Sequence, residues 1–305
     1  MFYNRATSVA SSVVTAVLFT VATGTSASAS VTTIPWTQQT VFELAEDDSY
    51  AAEWMGPSSG WTIIGGSATR IYAGSAGVFE TDASGNIWVY NGTPYSWTEI
   101  GGPGAEFVEG GGHLYGIGPD YNYVAEWMGL STGWEIIGGP AQDIYAGPDG
   151  MIALSPSLDA YLYEGTPGSW TEIGGQATDY AVGNAIYRVD LAGDDVEQWT
   201  GGTTWEQIFH DYDEVQSISA GGAGLYATDE TAADQLKYNG TPYSWTKIAG
   251  SGLGDPLPAA ISLTSLYGVT INASGGASSV VLYSGSGTTW TTIGGPADMY
   301  LAAGD

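Results

Sequence analysis

One hexapeptide, rewritten at a nearly fixed interval, governs what this chain can become. WTIIGG begins at Trp61, WTEIGG at Trp97 and Trp170, WEIIGG at Trp134 and WTTIGG at Trp290. Two degenerate copies, WEQIFH at Trp205 and WTKIAG at Trp245, fill the gap. Successive tryptophans lie 36, 37, 36, 35, 40 and 45 residues apart. A second marker keeps step with the first. An aromatic-x-Gly stands seven residues ahead of six of the tryptophans, at Trp54, Tyr90, Trp127, Tyr163, Tyr238 and Tyr283, and six residues ahead of the remaining one, at Trp199. A period of about 20–50 residues marks a repeat architecture, in which one unit cannot bury its apolar face without neighbours.

Each unit resolves into four short runs. In the second they are residues 69–74 (TRIYAG), 77–82 (GVFETD), 86–92 (NIWVYNG) and 96–102 (SWTEIGG). β-branched and aromatic residues bounded by Gly, Pro, Asn, Asp or Ser are strand chemistry punctuated by turn chemistry. Glycine, with 46 copies, is too dense for long helices. Four strands per unit is the arithmetic of a propeller blade. We therefore expect an all-β protein, a seven-bladed β-propeller of four-stranded blades occupying residues 30–305 as one domain.

The ends of the chain bear on closure. Residues 296–305 (PADMYLAAGD) repeat the first run of a unit, as in residues 140–147 (PAQDIYAG), and residues 41–44 (VFEL) repeat a second run. The two partial units add up to one blade, closed by pairing of the N- and C-terminal strands, which removes exposed sheet edges. A longer alternation is layered on the period. AEWMG occurs at Ala52 and Ala125, whereas Y-N/E-G-T-P-x-S-W occurs at Tyr90, Tyr163 and Tyr238, so the last hairpin differs between odd and even units. Residues 251–258 (SGLGDPLP) read as the longest loop.

Residues 1–29 read as a secretory signal peptide. Arg5 supplies the charged start, residues 13–21 (VVTAVLFTV) the apolar centre, and Ala27-Ser28-Ala29 the cleavage site. The apolar run is too short to span about 30 Å of hydrocarbon, so secretion without membrane insertion is expected. The remaining chain has Arg70, Arg188, Lys237 and Lys247 against 33 acidic residues, a net charge of −29. That field repels phosphate backbones and excludes nucleic acid as a partner, and it disfavours anionic polysaccharides. With no cysteine, the fold rests on its core alone.

The repeat resembles that of the tectonin and tachylectin propeller lectins, W-x-x-I-x-G followed by a spacer, I-x-x-G and a Gly-led strand. Here Trp134-Glu-Ile-Ile-Gly-Gly139 runs on to Ile144-Tyr-Ala-Gly147 and Gly150. The resemblance covers nearly all of residues 30–305, although members of that family are built with fewer blades. It implies glycan binding at several equivalent sites and does not name the sugar.

Two sets of aromatics follow from the markers. Trp61, Trp97, Trp134, Trp170, Trp205, Trp245 and Trp290 read as packing between blades, each removing about 150–250 Å² from water. Trp54, Tyr90, Trp127, Tyr163, Trp199, Tyr238 and Tyr283 each precede a hairpin. There a flat ring stacks on the C–H face of a sugar while polar groups fix the hydroxyls. Tyr95 and Tyr243 lie inside such hairpins and are expected to be exposed. Asn91 and Asn239 precede glycine, which suits a turn as well as a hydroxyl partner.

Catalysis finds little to stand on. Cysteine is absent, and His113 and His210 occupy unrelated repeat positions. No H-E-x-x-H ligand set is present. Acidic turns at residues 45–49 (AEDDS) and 193–195 (GDD) lack the ligand spacing of a calcium loop, so neither metal nor cofactor is expected. Paired carboxylates remain open by composition, with residues 209–214 (FHDYDE) the irregular stretch. The reading is a secreted, multivalent, non-enzymatic lectin. The rivals are a protein-interaction propeller and a carboxylate-dependent glycan hydrolase.

Overall fold

The computed structural model describes residues 40–210, 215–229, 234–250, 256–271, 277–294 and 301–303. The signal peptide read at residues 1–29 lies outside the described residues. Among the described residues the chain forms 28 strands in seven four-stranded antiparallel sheets and no helix, a seven-bladed propeller. No described helix is long and apolar enough to cross a membrane. Blade 2 is representative, with strands Arg70–Gly74, Gly77–Thr81, Ile87–Tyr90 and Trp97–Gly101 running from the axis outward. Blade 1 is the closing blade. Its first strand is Leu301–Ala303 and its second Val41–Leu44, paired as Val41↔Ala303, Phe42↔Ala302 and Glu43↔Leu301. The stretch expected to be the longest loop is partly a strand, because Pro256–Ile261 forms the first strand of blade 7.

The W-x-x-I-G motif has a mechanical explanation. In every blade the register of the third and fourth strands slips by one residue, and the residue skipped is the motif isoleucine. Ala51 pairs with Gly65 and Ala52 with Ile63, which passes over Ile64. The same slip passes over Ile100, Ile137, Ile173, Ile208, Ile248 and Ile293. A bulged residue leaves the ladder, so its carbonyl needs another donor. The next blade provides it. Trp97 Nε1 donates to the Ile64 carbonyl at 3.0 Å, Trp134 to Ile100 at 2.8 Å and Trp170 to Ile137 at 3.0 Å. Trp205 continues to Ile173 at 2.8 Å, Trp245 to Ile208 at 3.0 Å and Trp290 to Ile248 at 2.9 Å. Trp61 closes the circle on Ile293 at 3.0 Å. The seven indoles are half-buried, clasping each blade to its predecessor. The glycine after the isoleucine lets the indole approach, since a Cβ on Gly101 would stand 2.8 Å from Trp134 Nε1. It is not obligatory. Ala249 replaces it in blade 6, and Trp290 still reaches Ile248.

At the axis the closing glycine of the first run has a stricter reason. A Cβ on Gly147 would run into the Val182 carbonyl oxygen of blade 5. Backbone against backbone cannot give, so Gly147→Ala should cost about 3 kcal/mol through overpacking. A denaturant midpoint unchanged from that of the parent chain would refute this packing.

The seams between blades hold the core, seven clusters of buried aliphatic and aromatic side chains. Five acids are buried among the described residues, Glu43, Glu80, Glu109, Glu126 and Asp179, and the first two are placed alike. Glu43 and Glu80 occupy the same place in the second strands of blades 1 and 2, are 3% and 8% exposed, and each leaves Oε2 without a hydrogen-bond partner. Burial pushes both carboxyls up to about 7, Asp82 adding to the effect at Glu80.

The meander also sorts charge. Second-to-third hairpins and blade-to-blade connectors share one face of the disc; third-to-fourth hairpins share the other. The former hairpins carry Glu46, Asp47, Asp48, Asp82, Asp120, Asp159, Asp190 and Asp194, whereas the latter carry among the described residues only Glu164.

Candidate functional site

The third-to-fourth hairpins hold most of the aromatics singled out in the sequence, and strand register decides which are available. In all seven blades the third-strand aromatic lies directly across from the fourth-strand tryptophan: Trp54↔Trp61, Tyr90↔Trp97, Trp127↔Trp134, Tyr163↔Trp170, Trp199↔Trp205, Tyr238↔Trp245 and Tyr283↔Trp290. Facing rings pack on one another, with centroids 5.0 Å apart for Tyr90–Trp97 and for Tyr163–Trp170. This corrects the expectation for three of them. Tyr90, Tyr163 and Tyr283 are each 8% exposed and offer no free ring face. Trp54, Trp127, Trp199 and Tyr238 are half-buried. Trp54 lines a cavity of about 340 Å³ between blades 7 and 1, with Met55, Pro57, Leu282 and Tyr267.

Tyr95 and Tyr243 are placed differently. They are 69% and 62% exposed, at the tips of two hairpins with the same sequence, YNGTPYSWT, in blades 2 and 6. Both adopt left-handed backbone, with φ of 64° and 62°. Blade 4 has Gly168 at this position, with φ of 78°. A bulky non-glycine residue there is strained, by roughly 1–2 kcal/mol. The backbone is held rigidly nonetheless. Tyr95 N donates to the Ile64 carbonyl at 2.6 Å and Tyr243 N to that of Ile208 at 2.8 Å, the same bulge carbonyls that the clasp tryptophans use.

Asn91 and Asn239 brace these hairpins from within. Asn91 Nδ2 donates to Thr98 Oγ1 at 3.0 Å and Ser96 Oγ at 3.2 Å, and Asn239 repeats both bonds to Thr246 and Ser244 at the same distances. Both amides remain exposed to solvent.

The two tyrosines have unlike flanks. Tyr243 Oη donates to Gln207 Oε1 at 2.7 Å; Gln207 Nε2 donates in turn to Asp195, and His210 Nδ1 meets Asp195 Oδ1 at 2.7 Å. In blade 1 the position of Gln207 is taken by Ile63, which is 43% exposed. Sequence reasoning reached Asp195 only as part of the acidic turn at residues 193–195, and it did not find Gln207, whose partner Tyr243 comes from a hairpin of the following blade. Asp194, Asp195 and His210 bring three possible ligand atoms within 4.8 Å of one another, although Asp195 already accepts two hydrogen bonds. Of the irregular stretch FHDYDE, residues 211–214 lie outside the described residues, and Phe209 packs edge-on against Trp245 at 5.1 Å. His113 Nδ1 meets Glu126 Oε1 at 2.5 Å, which raises the imidazole's pKa.

Two carboxyl groups, Glu106 and Asp143, share a hydrogen bond near the axis. Burial pushes Glu106 up to about 9, with the charge and hydrogen bond of Asp143 adding to it and Arg70 opposing. The Ile144 amide donates to Glu106 at 3.2 Å and to Asp143 at 3.0 Å, so the pair staples blade 3 to blade 4.

No family model and no curated protein matches the chain. Solved structures share the fold. PorZ, an essential bacterial surface component of the type-IX secretion system of Porphyromonas gingivalis, aligns with a TM-score of 0.59 at 15% identity, covering 86% of this chain and 37% of that one. The acylaminoacyl peptidase of Pyrococcus horikoshii aligns with 0.58 at 12%, covering 81% and 48%. A functionally unknown protein from Desulfotomaculum acetoxidans DSM 771 aligns with 0.55 at 12%, covering 88% and 99%. The chain thus spans less than half the length of the first two. At these identities the likeness speaks to the fold alone.

Proposed function

We propose that this propeller is a secreted, non-catalytic lectin that holds glycans against Tyr95 and Tyr243 on its less charged hairpin face. One observation carries the reading: two identical hairpins spend backbone strain to present an exposed tyrosine ring where blade 4 has glycine. Strain maintained in two copies, on a rigidly pinned backbone, is a mark of a binding position. An exposed phenol ring offers a flat apolar surface with a polar tip, the chemistry that a pyranose C–H face and its hydroxyls require. The tectonin-like repeat motif points the same way. Two platforms on one rigid disc would add avidity on a surface dense in glycans.

The test is a glycan array with residues 30–305, alongside a Tyr95→Gly/Tyr243→Gly double variant. The parent should bind one sugar family selectively. The variant should lose that binding at least tenfold while melting no lower, because glycine relieves the left-handed strain. A blank array from folded protein would turn the same face, with Met55, Met128 and Leu130 exposed, into a protein-binding surface.

A further inference from the structure

The seam between blades 2 and 3 lacks a pair of side chains that another seam possesses. Between blades 4 and 5, Arg188 and Glu197 are register partners joined by an ion pair at 2.7 Å, and the Arg188 guanidinium lies 4.3 Å over the ring of the clasp Trp205. The corresponding register partners in blade 3 are Gly116 and Ala125, beside the clasp Trp134. Where the ion pair would stand there is a cavity of about 270 Å³. Gly116, Ala125, Phe107, Tyr123 and Trp134 line it, and Gly102 forms part of the wall.

Glycines flatten this space. The Phe107 ring rests on Gly116 and the Tyr123 ring on Gly118, each so close that a Cβ would collide with it. The cavity therefore has ring-shaped walls. No charged side chain lines it.

From this geometry we propose that the cavity is a binding site for a small neutral aromatic ring, of indole or phenol size, stacked against Trp134. Flatness follows from the walls and from the internal precedent, since the group covering Trp205 at the same depth is the planar guanidinium of Arg188. Aromatic faces take a flat partner in offset or edge-on contact. Neutrality follows from the lining. An ionised ligand would be stripped of water with no countercharge in reach, and an anion would also meet a chain of net charge −28. The site is independent of the glycan platforms and lies at a different seam.

The experiment is a titration of ¹⁵N-labelled protein with indole, following the Trp134 indole N–H resonance, with indole-3-acetate as the charged comparator. A saturable shift of that resonance is expected, with indole-3-acetate binding at least tenfold more weakly. Gly102→Leu and Ala125→Val should each weaken indole at least tenfold at an unchanged melting temperature. A Cβ at position 102 meets nothing within 4 Å, so that variant tests the site even if Ala125→Val perturbs the fold. The proposal is overturned if Trp134 shows no saturable shift up to the solubility of indole. It is equally overturned if Gly102→Leu binds as the parent does, or if indole-3-acetate binds as tightly as indole.

Discussion

Replacing Trp97 by alanine should lower stability by about 3–5 kcal/mol, the usual range for removing a large aromatic from a packed site. At about 2 °C per kcal/mol for a domain of this size, the melting temperature falls by roughly 6–10 °C. Two losses combine. Apolar contact with Tyr90 across the hairpin disappears, and the Ile64 bulge carbonyl keeps only the Tyr95 amide as donor. Trp97→Phe separates the two, because it retains most of the ring area and removes the indole N–H. It should recover more than half of the deficit. A calorimetric melt of Trp97→Ala indistinguishable from that of the parent would remove the clasp from the account of stability.

The second large effect is on pH. Glu43 and Glu80 ionise near 4.5 in an unfolded chain and only near 7 when folded. Between those values the folded state binds more protons than the unfolded state, so stability is fully present below about pH 4.5 and is lost as pH rises through 7. Each acid contributes on the order of 3 kcal/mol to the difference between pH 4 and pH 8. Both acids border blade 1, the blade in which Leu301–Ala303 meets Val41–Leu44. Alkaline loosening should therefore begin at that closure, visible as early hydrogen exchange in these two strands. Glu43→Gln/Glu80→Gln should flatten the profile and raise the melting temperature at pH 8 by on the order of 10 °C. The buried Glu106, pushed up to about 9, and repulsion among the other acids act in the same direction and persist in the variant. Unaltered pH dependence in the double variant would assign the effect to Glu106 and to that diffuse repulsion.

The fold was legible because its markers are mechanical parts. Trp and the bulged Ile recur together since one blade's indole needs the carbonyl that its neighbour supplies, and in five of the seven copies a following Gly eases the approach. The strands of blade 2 fall within two residues of the runs read from the chain. The sites were less legible, for reasons that individual residues make plain. The seven-residue interval between Tyr90 and Trp97 was read as an aromatic beside a hairpin. It is the signature of two residues facing each other across one, which buries Tyr90 instead of displaying it. Tyr95 was expected to be exposed, but its left-handed backbone is visible in sequence only by comparison with Gly168 of blade 4. Glu43 and Glu80 carried a usable signal, an acid embedded twice in an apolar VFE run. Gln207 carried none, since its partner Tyr243 comes from the next blade, and Asp195 showed only as part of an acidic turn.

The sorting of charge between the two faces gives the disc a direction. Acidic hairpins cover one side and almost uncharged ones the other, so the protein is electrically lopsided along its own axis. Near a negatively charged envelope or wall, the acidic side is pushed outward and the disc turns like a compass needle before any contact forms. It would arrive with Tyr95 and Tyr243 leading, and rising salt would erase this alignment within about a 10 Å screening length.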